Sequence, residues 1–122
     1  MANQLNPHTL GTVFALRYRE KVTDSDPVEW IDLTAVPVTL CLDNGSTRVT
    51  LRYLNGGSDG VAEDSGTAVK FSQPPTWAAL SAGLWDVRYA TGAHATAQQM
   101  TFYGTLEVIQ PTAGPLPVAE GA

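Results

Sequence analysis

The amino-acid sequence predicts an all-β domain, an antiparallel sandwich or a small barrel, and three observations carry that expectation. Apolar and polar residues alternate with period two in a series of short runs. Those runs recur at intervals of roughly ten to fifteen residues, with turn residues between them. Only one short stretch, residues 75–83, has helical character.

The clearest unit is a hairpin. Val36, Val38, Leu40 and Leu42 share one side of a first ribbon, and Val49, Leu51 and Tyr53 one side of the next, with Thr, Arg and Pro opposite. Asn44-Gly45 between them offers the positive φ angles of a type I′ turn. Upstream, residues 12–19 align Phe14, Leu16 and Tyr18, and residues 28–33 read as a shorter strand entered at Pro27. Downstream, residues 68–71 alternate briefly, and residues 84–89 group Trp85, Val87 and Tyr89 opposite Asp86 and Arg88. The last and longest strand, 100–109, puts Phe102, Leu106 and Val108 in phase and leaves Tyr103 on the polar side with Thr101, Thr105 and Glu107. These make about seven strands.

The segments between them have readable chemistry. Three glycines in residues 55–60 exclude a helix or a strand interior, and residues 20–27 form a polar loop. In residues 75–83, Thr76 can cap a short helical turn and Gly83 can end it, with Trp77 closing one end of the core. Residues 111–122 carry three prolines and little to bury, which predicts an extended tail. The domain organisation is therefore an N-terminal arm over 1–9, the β-domain over 10–110, and a Pro-rich tail over 111–122.

Composition narrows function. A chain of 122 residues holds one core. Seven Lys and Arg against twelve Asp and Glu give a net charge of −5, a surface that repels phosphate backbones, so nucleic acid is not an expected partner. No apolar run reaches the ~18 residues of a membrane-spanning helix, and the first residues lack the basic start and apolar run of a secretory leader. A single cysteine cannot form an internal disulfide.

Catalysis is not expected. The histidines, His8 and His94, lie far apart in polar segments, and Cys41 sits on a strand where a half-buried free thiol explains it. There is no nucleophile elbow, phosphate loop or zinc spacing, and no cofactor is implied. Five acids, Glu20, Asp24, Asp26, Glu29 and Asp32, fall close together. Asp24 and Asp26 could face Ca²⁺, but the order of an EF-hand loop is missing, and a solvated loop explains the same residues. An acidic rim for a basic partner is the other reading. Among the aromatics, Trp85 and Tyr89 are expected in the core, Tyr103 as an exposed contact.

The run Thr76-Trp77-Ala78-Ala79-Leu80-Ser81-Ala82-Gly83-Leu84-Trp85-Asp86-Val87 resembles the Thr-x-x-x-Leu-x-x-Gly-x-Tyr/Trp-Asp-Val pattern of immunoglobulin-like domains in tailed-bacteriophage tail and baseplate proteins. Tyr103-Gly104-Thr105-Leu106-Glu107-Val108 is similar to that family's closing strand, and residues 30–40 to its hairpin entry, although Ala35 stands where the family has glycine. The resemblance implies an immunoglobulin-like antiparallel β-sandwich, and a structural component of a virion tail or baseplate made in the host cytoplasm. It implies other virion tail proteins as partners, a homo-oligomer, and no catalytic residue. Leu116 and Val118 in the tail, wrapping a neighbour, together with Tyr103 and Trp77, are the expected assembly contacts. Lys70, Arg48 and Arg52 are the expected guards of sheet edges. The competing expectation is a glycan- or receptor-binding module using exposed Tyr103 or Trp77.

Overall fold

The computed structural model describes residues 3–54, 56–92 and 99–111. The described residues form ten strands: β1 (Asn3–Gln4), β2 (His8–Thr9), β3 (Phe14–Tyr18), β4 (Val38–Asp43), β5 (Arg48–Leu54), β6 (Gly57–Ser58), β7 (Gly60–Glu63), β8 (Ala68–Gln73), β9 (Gly83–Thr91) and β10 (Gln99–Ile109). The larger sheet runs β1-β10-β9-β4-β5-β6, with β2 also on β10, and the smaller runs β3-β8-β7. The order β10-β9-β4-β5-β6 facing β3-β8-β7 is that of an immunoglobulin-like sandwich of the variable type, whose central sheet is extended by extra hairpin strands. All pairings are antiparallel except those of β1 and β2, which run parallel to β10.

The core is the meeting of the two inner faces. Val38, Leu40 and Leu42 from β4, Trp85, Val87 and Tyr89 from β9, and Leu106 and Val108 from β10 face Phe14 and Tyr18 from β3 and Val69 and Phe71 from β8. Alternation produces this directly, since each strand sends every second side chain inward. Tyr18 stacks on Tyr89 with ring centroids 4.7 Å apart. No disulfide ties the sheets, because Cys41 is the chain's one cysteine, half-buried on β4. A tryptophan anchors the entry to β9 instead. Trp85 is buried, and its indole Nε1–H donates to the Ser81 carbonyl oxygen at 2.8 Å. A tyrosine hydroxyl makes the corresponding backward bond in many immunoglobulin-type domains.

Chain crossings between the sheets explain two further features. Between β6 and β7 the backbone passes close over the core at Gly60, where a Cβ would stand 2.9 Å from both Tyr53 Cβ and Val69 Cγ1, so only glycine fits. Between β8 and β9, Pro74 and Pro75 break the strand, and Leu80 plugs the core from the loop.

The structure corrects several sequence expectations. The short helical turn lies at Asp64–Gly66, as a 3₁₀ turn, and not within 75–83. There the chain makes only a tight turn, Trp77 N–H donating to Pro74 carbonyl at 2.9 Å, and the residues after it are held instead by Leu80 on the core and by the Ser81 carbonyl accepting from Trp85. Residues 28–33 are not a sheet strand. They are one arm of an irregular ribbon with residues 20–22, closed by Val22 N–H to Glu29 O and Ile31 N–H to Glu20 O, each 2.8 Å, and by a bridge of Lys21 with Trp30. Both sides of β4, the next strand in the chain, are already occupied by β5 and β9, so residues 28–33 cannot pair with it.

The 36–54 hairpin forms with the expected inward residues, but its tip is not the expected type I′ turn, whose two central residues both need positive φ. Gly45 alone takes a positive φ (93°), Asn44 N–H donates to Thr47 O, and the Asn44 side chain accepts from the Ser46 and Thr47 amides. The arm over 1–9 is not free: residues 3–4 and 8–9 join the larger sheet along β10. Lys70 belongs to β8, the central strand of its sheet, and guards no edge.

Trp85→Phe keeps the apolar bulk but deletes the bond to Ser81. It is expected to lower unfolding free energy by about 1–3 kcal/mol in urea denaturation, from lost packing volume and a lost hydrogen bond.

Candidate functional site

No reaction centre assembles among the described residues. They include no group of three or more His, Cys, Asp and Glu side chains able to hold a metal ion, and no buried side-chain polar atom lacks a hydrogen-bond partner. The acidic segment is used by the fold. Glu20 accepts from the Tyr18 hydroxyl at 2.6 Å, and Asp32 accepts from both the amide and the hydroxyl of Thr34, at 2.9 and 2.7 Å. Those bonds from Thr34 hold the Asp32 carboxyl below its ordinary value. Burial first, and donation to Glu20 second, push the Tyr18 hydroxyl well above the usual phenol range.

Two surfaces remain with the geometry of contact sites. The first is the outer face of the larger sheet. Leu84, Asp86, Arg88 and Ala90 project outward from β9, and the register sets Glu107, Thr105, Tyr103 and Met100 of β10 opposite them. Leu84 is 65% exposed, Met100 59% and Tyr103 38%. Asp43 of β4 lies directly opposite Asp86, a like-charge pair that would repel without local donors. Arg48 Nε donates to Asp43 at 3.0 Å and the Tyr103 hydroxyl to Asp86 at 3.1 Å. The Asp43 carboxyl is held low by the Gly45 amide and by Arg48, and the Tyr103 hydroxyl is pushed up by its bond to Asp86. Tyr103 is therefore fixed in orientation with its ring on the outer face. This exposure agrees with the sequence reading.

The second surface is a cleft of about 400 Å³ between the N-terminal residues 5–9 and β3, with Leu5, Val13, Phe14, Leu16 and Leu106 among its walls. His8 stands there, 8% exposed, its ring edge-on to Phe14 at 5.3 Å. Trp77 packs behind it on Phe14 at 4.8 Å, partly buried against the core. Trp77 thus closes an end of the core, as expected, while Tyr103 lies on the opposite side of the larger sheet, so the two are not brought together. His94, Leu116 and Val118 lie outside the described residues. Sequence reading missed the cleft because it requires β1 and β2, whose dipeptides carry no strand pattern.

No family model matches this chain, and no curated relative does. Among solved structures it is similar to a Bacteroides vulgatus protein named as a "putative glycoside hydrolase", with a TM-score of 0.48 and 17% identity over 88% of this chain. This chain spans 17% of that protein's length. A likeness of that size carries no argument about activity.

Burial lowers the pKa of His8 from 6.5. The unfolded chain therefore takes up the proton first, so stability is fully present above pH 6.5 and falls as the pH drops toward the folded value. The low Asp32 and Asp43 carboxyls add their own loss only below their ordinary value of 3.8. Thermal denaturation from pH 7.5 to 5.5 is expected to show a falling midpoint that is flattened in His8→Gln.

Proposed function

We propose that this chain is a structural component of a bacteriophage tail or baseplate, acting through protein–protein assembly and not as an enzyme. The observation that carries the assembly part is the outer face of β9 and β10. It presents a positioned tyrosine, a methionine and Arg88 on a rigid sheet beside the exposed Leu84, and tyrosine, methionine and arginine are enriched where protein surfaces meet. Its charges are balanced, with Asp43, Asp86 and Glu107 against Arg48, Arg52 and Arg88, so the face suits a partner recognised by shape and apolar contact more than by net charge. The virion assignment is supported by the resemblance of residues 76–87 and 103–108 to phage tail domains. The partners under this reading are other tail proteins and further copies of the chain.

Mass spectrometry of purified virions from producing cells is expected to find the chain. Sedimentation is expected to show association that weakens at least tenfold in Tyr103→Asp with Met100→Asp, equivalent to about 1.4 kcal/mol. A monomer absent from particles, or glycan binding lost on Tyr103→Ala, would replace this reading with that of a ligand-binding module.

A further inference from the structure

We propose that the outer face of the larger sheet packs against the same face of a second copy of this chain, related by a two-fold axis that crosses β9 level with Val87. In that arrangement Asp86 of each copy lies over Arg88 of the other. The proposal rests on the reading of this face as an assembly surface and names its partner.

The first observation is how charge is laid out on the face. Strand register groups the outward side chains into rows that cross the strands. One row holds Asp86 of β9 and Asp43 of β4, and Glu107 of β10 lies beyond it, opposite Leu84. The next row in the other direction holds Arg88 between Tyr103 and Cys41, and the row after that holds Arg52 of β5, level with Ala90. Arg48 is bonded to Asp43 and offsets one of the three acids. The face is thus balanced in sum, but acidic toward the start of β9 and basic toward its end.

The second observation is how these charges are answered within the chain. Asp43 has Arg48, whereas Asp86 has the neutral Tyr103 hydroxyl. Arg88 is exposed and, among the described residues, forms no ion pair. A carboxylate and a guanidinium therefore stand about 7 Å apart along one strand, each without an oppositely charged contact.

The third is what a two-fold does to such a pattern. A face turned onto itself about an axis across the strands reverses strand direction, so the acidic end of one copy meets the basic end of the other. With the axis midway between Asp86 and Arg88, two Asp86–Arg88 pairs form, one on each side of it. Packed sheets lie about 10 Å apart, a gap that aspartate and arginine side chains together span. The same turn sets Leu84, 65% exposed, over Ala90, and Tyr103 over Thr105, so apolar contact flanks the charges. An axis along β9 would instead lay Asp86 on Asp86 and Arg88 on Arg88, which repulsion disfavours.

Sedimentation of the purified full chain tests this. The unaltered chain is expected to form dimers. Asp86→Arg alone and Arg88→Asp alone are each expected to weaken association at least tenfold, because each sets like charges over one another twice. An equimolar mixture of the two variants is expected to restore it, since both contacts in a mixed dimer again join opposite charges. One chain carrying both substitutions is expected to associate like the unaltered chain, and far-ultraviolet dichroism of each variant checks folding. A chain that stays monomeric, or a mixture that associates no better than its components, would overturn the pairing. Presence in virions would then leave assembly with other tail proteins standing. Restoration in the mixture, for a chain absent from virions, would support the pairing and overturn the virion reading alone.

Discussion

Trp85, Val87 and Tyr89 on β9 form a stripe that touches both sheets at once, and the rest of the fold is arranged around keeping that stripe dry. β9 sits between β10 and β4 in the larger sheet, so its inward side chains meet Phe14, Tyr18, Val69 and Phe71 from the smaller sheet at the centre of the sandwich. With no disulfide available, the sheets are held by burial of these side chains, each contributing on the order of 1.5–3 kcal/mol. The Trp85 indole bond to Ser81 fixes the angle at which the 74–82 connection enters β9, and so brings Leu80 onto the core. Gly60 serves the same end on the other side, letting the backbone pass over Tyr53 and Val69 without displacing them.

Because the interior is committed to aromatic and aliphatic packing, chemistry is left to the surfaces. The buried polar groups that do exist are satisfied locally: Tyr18 by Glu20 and Thr101, and Tyr53 by the Thr34 carbonyl. The carboxylates of the 20–32 segment are divided between such bonds and exposed turns and do not converge on a common point. What distinguishes the molecule is therefore which faces and edges stay uncovered. Placing β1 and β2 along β10 protects the larger sheet at that side, and among the described residues β3 pairs only with β8. The outer face of β9 and β10 combines exposed apolar side chains with a Tyr103 ring held in place by Asp86. A rigid sheet presenting positioned side chains loses little conformational entropy on binding, the property an assembling surface needs.

The strands with a two-residue rhythm were legible from the chain alone. Val38–Leu42, Val49–Tyr53, Trp85–Tyr89 and Leu106–Val108 place their oily side chains inward as their alternation requires, since a one-residue slip would turn every one of them to water. The exposed position of Tyr103 followed from the same rule. Residues 28–33 show where the rule stops. Val28 and Trp30 are apolar yet exposed, Arg19 lies 3.9 Å over the Trp30 ring, and only Ile31 and Leu33 turn toward the core. Alternation describes a side chain's phase but not whether a neighbouring strand has a free edge to offer.

The sequence by itself determined the class of fold, the inward residues of the long strands and the absence of a cross-linked core, because side-chain period and cysteine number are local properties. Tertiary structure alone decided that residues 3–9 lie on β10, that the helical turn sits at Asp64–Gly66, and that a cleft opens beside β3. Each of these depends on pairing between segments distant in the chain. Strands of two residues carry too few side chains to announce such pairing, and it is settled only when the sheets close and leave particular edges vacant.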